Sequence, residues 1–167
     1  LPVERALHHA SRLRIPPEIT AAERRAAIDR VTANVGLAHK RGQTIATLSG
    51  GESKRASLAT ELLASPGVLV VDEATSSLDP ATESRIMALL AERAAAGTTV
   101  ITVTHHLDNV DLADTLLILG HGEVVWFGTR EEALDHFGVR RLADVYVAIE
   151  DKPPDHWSAA WRTRTAT

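Results

Sequence analysis

The sequence predicts an α/β fold, in which strands alternate with helices and form a parallel sheet. The apolar run VLVV at 68–71 is typical of a strand covered on both faces, and TTVITVT at 98–104 is dense in β-branched residues. Residues 80–97 separate the two strands with a helical pattern that has a proline at its start and a glycine at its end. A strand, helix, strand order of this kind favours parallel pairing of the two strands.

Residues 1–64 are predicted to form a helical subdomain in front of that sheet. Apolar residues recur at helical spacing over 2–14, which indicates a first helix. Thr20 and Glu23 have the spacing of a capping box, which predicts the start of a second helix. A third helix is expected to follow Ser49.

The rest of the chain predicts a hairpin followed by helices. The segments TLLIL and EVVWFG, joined by GHG, indicate two antiparallel strands with a tight turn. A helix near 129–137 ends the predicted α/β part, which spans 65–137, and residues 138–167 form a C-terminal extension or linker. In that extension Trp157 and Trp161 share one helix face. We expect them to pack on the domain rather than to lie at a membrane interface.

The composition is that of a globular protein and argues against several classes. Of 167 residues, 44% are hydrophobic and 24% are charged, which is enough apolar material for a core. The net charge of −4 gives no electrostatic reason to expect a nucleic-acid partner. The chain has no cysteine, so it has no disulfide framework and no cysteine metal site. No apolar run approaches the roughly 20 residues of a membrane-spanning helix.

Polar residues follow both predicted strands of the sheet. Asp72 and Glu73 end VLVV, and His105 ends the second strand. Because ligands bind at the carboxyl ends of parallel strands, the three side chains converge if the strands are neighbours. Each alone is more often a loop acid, a solvated charge or a partly buried histidine. Asp79, before the next helix, has the position of an N-cap. His106 follows His105, and we expect these adjacent side chains to point apart and to form no paired metal site.

The segment Ser49 to Glu52 opens the third helix with two adjacent glycines. Ser49 and Glu52 have the spacing of a capping box, which is a sufficient structural reason for both. It does not explain Gly50 and Gly51, because glycine in a helix costs stability relative to alanine. A helix N-terminus also binds anions, and the absence of two Cβ atoms lets an anion approach closely. Both a cap and a phosphate contact therefore remain open for this segment.

In chain order, LSGGE, VLVVDE, SSLD and a strand ending in TH resemble the nucleotide-binding domain of an ATP-binding cassette (ABC) protein. LSGGE is similar to the signature motif, VLVVDE to the Walker B strand with the catalytic glutamate, SSLD to the D-loop, and His105 to the switch histidine. Each motif is weak alone, but four in this order are specific. The resemblance covers most of residues 1–137. It implies a partial P-loop NTPase domain with a helical signature subdomain, a parallel sheet remnant and a C-terminal hairpin plus helices.

The resemblance also implies a role for each matching residue. Asp72 would help to hold Mg²⁺, through water. Glu73 would orient or polarise the attacking water, and His105 would contact the γ-phosphate of ATP. Asp79 and its loop would face a second nucleotide-binding domain. The signature motif would meet the γ-phosphate of the ATP bound on that opposite domain, through the set Ser49, Gly50, Gly51 and Glu52.

The sequence contains no G-x-x-x-x-G-K-[ST], the loop that cradles phosphates in this class of protein. Leu1 begins within a helical pattern, where the family resemblance places the end of the upstream nucleotide-binding loops. We therefore expect this chain to be the C-terminal half of a nucleotide-binding domain within a longer protein. We expect the chain alone to bind ATP weakly and to hydrolyse none.

The basic pair KR after the signature, and the segment GEVVWFGTREEALDHFG, resemble the G-type or white-type branch of transporters and its bacterial relatives. That branch implies an ATPase domain on the cytoplasmic face of the plasma (inner) membrane, partnered with a transmembrane domain and powering transport. An alternative is a soluble ABC ATPase acting on DNA or translation. Such proteins surround the motifs with coiled coils or tandem domains, which are not seen here. A non-catalytic remnant is disfavoured by Glu73 and His105.

Overall fold

The computed structural model describes residues 1–107, 109–153 and 155–165. Their contacts cluster into two compact units, Leu1–His106 and Leu107–Thr167. Each unit has its own cluster of buried apolar side chains. The predicted division into a helical subdomain, an α/β part and an extension stays a prediction.

The first unit begins with three helices, as predicted: α1 (Val3–Arg14), α2 (Ala21–Asn34) and α3 (Gly50–Leu62). The capping box at the start of α2 is confirmed, since the Thr20 hydroxyl accepts the Glu23 backbone N–H and the Glu23 carboxylate accepts the Thr20 N–H at 2.9 Å. Such reciprocal bonds satisfy N–H groups that a helix start leaves without partners. The helices share a core whose buried side chains include Leu7, Ile28, Val31, Leu58 and Leu62.

The α/β part of the first unit follows, with β1 (Val68–Asp72), α4 (Pro80–Ala95) and β2 (Thr99–Val103). The two strands are parallel neighbours, as predicted, with Val70 opposite Ile101 and Asp72 opposite Val103. This register brings the carboxyl ends of both strands to one edge of the sheet.

The expectation that β1 is covered on both faces is wrong for the described residues. Leu69 and Val71 are buried in the first core, whereas Val68 is 59% and Val70 is 63% exposed. Successive strand residues point to opposite faces, so a cover on one side buries every second residue. The helices of this unit supply that cover on one side only. The continuous apolar run therefore presents an uncovered apolar face.

The described part of the second unit holds the predicted antiparallel hairpin and three α-helices: β3 (Leu116–Gly120), β4 (Glu123–Gly128), α5 (Arg130–Phe137), α6 (Ala143–Glu150) and α7 (His156–Thr165). The turn between the strands uses His121 and Gly122, both with positive φ, as a two-residue type I′ hairpin turn requires. Among the described residues the hairpin forms a two-stranded sheet separate from β1 and β2. The fold is thus mixed α/β with one small parallel and one small antiparallel sheet.

The two tryptophans of α7 pack on the second unit, as predicted. The Trp157 indole Nε1 donates a hydrogen bond to the Ala148 carbonyl at 2.9 Å, and its ring lies 4.7 Å from that of Phe137. Trp161 is partly buried against the same apolar cluster. Within the ranges that the structure covers, no helix has both the length and the apolarity that crossing a membrane requires.

Candidate functional site

The carboxyl ends of β1 and β2 bring together the predicted acidic residues and the histidine. Pairing continues one residue beyond β1, because the Glu73 N–H donates to the Val103 carbonyl at 3.0 Å. The Glu73 carboxylate Oε1 then lies 3.2 Å from Nδ1 of His105. The two side chains are 51% and 60% exposed, so the pair is open to solvent. Asp72, exposed beside them, ends the strand.

Glu73 has an unusual backbone conformation. Its φ is +44°, in the left-handed region that side-chain-bearing residues rarely adopt. Such a conformation costs about 1–2 kcal/mol relative to the right-handed one. It persists where the surroundings hold it, and such residues cluster at functional sites. Ser77, in the following loop, also has a positive φ, of 68°.

The backbone carbonyl of Glu73 accepts several hydrogen bonds. The Ser76 backbone N–H donates to it at 3.1 Å, and the Ser76 hydroxyl donates at 3.0 Å. The Lys54 ammonium Nζ, which comes from α3, donates at 3.0 Å and also bonds to the Ser76 hydroxyl. Lys54 was not predicted as a site residue from the sequence. Its only sequence signal is the basic pair after the two glycines.

The start of α3 is the predicted capping box. The Ser49 hydroxyl accepts the Glu52 N–H at 3.3 Å, and the Glu52 carboxylate accepts the Ser49 N–H at 2.9 Å. Lys40 lies 3.3 Å from the second carboxylate oxygen of Glu52. The hydrogen bond from the Ser49 backbone, and then the Lys40 ammonium, lower the pKa of Glu52. The carboxylate is therefore charged near the positive end of the helix.

The two glycines of this segment have different surroundings. A Cβ on Gly50 would meet nothing within 4 Å. A Cβ on Gly51 would lie 2.8 Å from Cδ2 of Leu78 and 3.1 Å from the Ser77 carbonyl oxygen. Gly51 is buried and lets the loop after Glu73 pack against α3, so it has a structural reason within the chain. Gly50 has only open space beside it, which is where an anion could approach the helix N-terminus.

Asp79 is the N-cap of α4, as predicted. Its carboxylate accepts the Thr82 backbone N–H at 3.0 Å. Hydrogen bonds from the Thr82 side chain, and then from its backbone, lower the pKa of Asp79. Asp79 thus marks the end of the loop that begins at Glu73 and packs against Gly51 of α3.

His106 lies beside His105, and the expectation that the two side chains point apart is wrong. Their ring centroids are 4.4 Å apart. His106 Nδ1 lies 3.5 Å from a carboxylate oxygen of Glu83, whose side chain is 7% exposed. His106 thus lies next to Glu83 of α4, and His105 lies next to Glu73 at the sheet edge. Within the described part of the chain, no cluster of three or more His, Asp and Glu side chains could hold a metal ion.

The site residues thus form two groups within the first unit. Asp72, Glu73 and His105 lie at the carboxyl ends of the strands. Ser49, Gly50 and Glu52 lie at the N-terminus of α3. Contacts from α3 residues to the loop after Glu73 join the two groups, through Lys54 and through the close packing at Gly51.

Comparison with known proteins identifies relatives for most of the chain. Residues 3–76 match the family model described as ABC transporter. An ABC transporter ATP-binding/permease protein of Mycobacterium tuberculosis is 36% identical over 166 residues, which are 99% of this chain and 19% of that protein. ABC transporter G family member 22 of Arabidopsis thaliana is 36% identical over 144 residues, or 82% of this chain and 19% of that protein.

A further relative is a methionine import ATP-binding protein of Bordetella pertussis. It is 40% identical over 116 residues, which are 68% of this chain and 32% of that protein. This chain therefore spans between about a fifth and a third of the length of these three relatives. The family match includes the segment from Ser49 to Glu52 as well as Asp72 and Glu73, and it ends before Asp79 and His105.

Proposed function

We propose that this chain, which belongs to the ABC transporter family, supplies the signature motif and the catalytic carboxylate of a nucleotide-binding domain that hydrolyses ATP to power transport across a membrane. The observation that carries the proposal is the pair of Glu73 and His105 at the carboxyl end of the parallel strands. Ligands of α/β proteins bind at this edge. The relatives contribute the reaction class, since their names describe ATP-binding transport proteins.

Glu73 is the proposed general base or water-positioning group. Its carboxylate is exposed, and its oxygen accepts a hydrogen bond from His105 when Nδ1 carries the proton. That bond orients the carboxylate and leaves its other oxygen for the attacking water. Phosphoryl transfer depends on positioning and on electrostatic stabilisation, so orienting this group is the main contribution a carboxylate can make. When both ring nitrogens carry a proton, Nδ1 of His105 donates to Glu73 and the other ring nitrogen can donate to a phosphate oxygen.

The residues present fit ATP and Mg²⁺ as the groups that this site would take. Asp72 offers an exposed carboxylate beside Glu73, and Mg²⁺ prefers carboxylate and water oxygens. When bound, the ion would neutralise part of the negative charge of the phosphates. Ser49 and Gly50 offer an exposed helix N-terminus with open space, which suits a phosphate.

The proposed partners are a second nucleotide-binding domain and a transmembrane domain. The Ser49 helix end would contact the ATP held by the second domain, and Asp79 and its loop would face that domain. The likeness to a G family member supports a G-type transporter whose ATPase domain lies at the cytoplasmic face of the membrane. The phosphate-cradling loop is not part of this sequence, so the complete domain needs residues in addition to these.

The proposal is tested by Glu73→Gln in a longer protein that contains this chain and the phosphate-cradling loop. The amide keeps the shape of the side chain but loses the negative charge and the basicity. We expect the steady-state ATPase rate to fall by at least about 100-fold. We also expect an ATP-bound dimer to accumulate, measured by size-exclusion chromatography with ATP.

The matched control is Glu92→Gln, which makes the same chemical change at an exposed position of α4. It should retain the wild-type rate. Wild-type hydrolysis by Glu73→Gln would remove Glu73 from its proposed role.

A further inference from the structure

Lys54 connects α3 to the candidate catalytic loop. Its Nζ donates to the Glu73 carbonyl at 3.0 Å and bonds to the Ser76 hydroxyl, which itself donates to the same carbonyl. Lys54 is only partly exposed. A partly desolvated ammonium forms stronger hydrogen bonds than a neutral donor does. The positive charge of Lys54 therefore lies against the backbone carbonyl of Glu73.

That carbonyl belongs to the peptide that sets the ψ angle of Glu73. With φ at +44°, Glu73 is in a conformation that an unrestrained glutamate would leave. Three donors converge on its carbonyl oxygen: the Lys54 ammonium, the Ser76 hydroxyl and the Ser76 N–H. Together they hold the peptide plane, and the peptide plane determines where the Glu73 side chain leaves the backbone.

We propose that Lys54 is a positioning residue for the Glu73 carboxylate, acting through the backbone of Glu73. This inference rests on the proposed function. Two separate contacts then hold Glu73. Lys54 contacts its backbone carbonyl, and His105 contacts its side-chain carboxylate. Because Lys54 lies in the helix that starts at Ser49, it also links the proposed phosphate-binding end of α3 to the hydrolytic carboxylate. A displacement of α3 would therefore move the carbonyl that orients Glu73.

The adjacent Arg55 provides a matched control. Its guanidinium donates to the Val35 carbonyl at 3.0 Å and to the Gly36 carbonyl at 3.4 Å, both at the end of α2. Arg55 has the same charge and the same helix as Lys54, and it also bonds to backbone carbonyls. The carbonyls that Arg55 contacts follow α2, whereas the carbonyl that Lys54 contacts lies in the loop that begins at Glu73. Loss of Arg55 thus reports what a purely structural anchor contributes.

The experiment measures ATPase kinetics in the longer protein. We expect Lys54→Met to lower kcat by about tenfold and to change the KM for ATP by less than about twofold. Lys54→Arg, which can still donate to a carbonyl and a hydroxyl, should bring kcat to within about threefold of wild type. Arg55→Met should lower the melting temperature and leave kcat per folded protein unchanged.

A double mutant separates positioning from general stabilisation. In single-turnover hydrolysis, Lys54→Met should add nothing to the loss caused by Glu73→Gln, because both act through one carboxylate. Multiplicative losses, or a wild-type kcat for Lys54→Met, would overturn the role of Lys54. If Lys54→Met does not fold, Ser76→Ala replaces it and should lower kcat by about threefold. A wild-type kcat there would equally overturn the role. A wild-type rate for Glu73→Gln would instead refute the proposed function.

Discussion

Gly50 and Gly51 are adjacent in sequence, but their surroundings in the structure differ. Gly51 is buried against the Ser77 carbonyl and Leu78, so a methyl group there would displace the loop that follows Glu73. Gly50 faces open space, so its missing side chain has no packing explanation within the chain. The proposed phosphate contact therefore explains the absence of a side chain at Gly50, whereas packing explains it at Gly51.

This difference predicts opposite effects of two alanine substitutions. Gly51→Ala should lower the free energy of unfolding of the chain by about 1–2 kcal/mol, because the neighbouring backbone must shift. Gly50→Ala should leave the free energy unchanged or raise it by up to about 1 kcal/mol, because alanine is the better helix former. Urea unfolding followed by circular dichroism at 222 nm measures both. Equal losses in the two variants would contradict the packing role of Gly51.

Four of the described helices begin at residues whose side chains cap the first turn. Capping boxes open α2 with Thr20 and Glu23, and α3 with Ser49 and Glu52. A third capping box opens α5, and Asp79 caps α4. These contacts are made within four residues, so they do not depend on the rest of the fold. That is why the starts of α2, α3 and α4 were predictable.

The caps also predict how stability depends on pH. Hydrogen bonds to the cap residues lower the pKa of Glu23 and of Glu52. A carboxyl whose pKa is lower in the folded state stabilises the fold above its unfolded pKa, and the contribution is lost as the pH falls through the folded pKa. Helix content should therefore decrease as the pH falls from about 5 to about 3.

The pKa of Glu52 can be measured directly by NMR titration of its carboxyl carbon. We expect it to lie below the usual range for glutamate, and to remain lowered in Lys40→Met, because the Ser49 backbone N–H is the larger cause. A return to the ordinary value in Lys40→Met would assign the effect to the lysine instead. Glu52→Gln should also weaken the dependence of unfolding on pH.

At the scale of the whole molecule, each unit presents an apolar sheet face that the described residues leave uncovered. In the first unit this face holds Val68, Val70, Ile101 and Val103. In the second it holds Leu117, Leu119 and Phe127. Exposed apolar patches of this kind are uncommon on isolated monomers. The open faces agree with the proposal that these residues are part of a larger nucleotide-binding domain.

The same proposal predicts weak nucleotide binding by the chain alone. The sequence contains the proposed Mg²⁺ ligand and the proposed hydrolytic carboxylate, but it lacks the loop and lysine that hold most of the triphosphate in this class of protein. Isothermal titration calorimetry with Mg·ATP should give a dissociation constant far weaker than micromolar, which corresponds to about −8 kcal/mol. The longer protein that contains the loop serves as the positive control. Micromolar binding by the 167-residue chain would refute this prediction.

Local contacts explain what the sequence alone could determine about this protein. The capping residues, the proline and glycine at the ends of α4 and the β-branched strand all act over a few residues. They predicted the starts of α2, α3 and α4, and together with the predicted parallel pairing they anticipated the meeting of Glu73 and His105. The order of the four motifs pointed to the family for the same reason, because each motif is a short segment.

Only the tertiary structure decided which residues connect these segments. The Lys54 ammonium reaches a carbonyl 19 residues away, and Gly51 is needed where the loop around Ser77 approaches α3. Neither contact follows from periodicity, because a long cation and a small residue fit many positions on a helix. Whether one face or both faces of β1 are covered is likewise decided by the packing, because the segment VLVV is compatible with burial of both faces. Distances between segments, rather than residue preferences, determine these features.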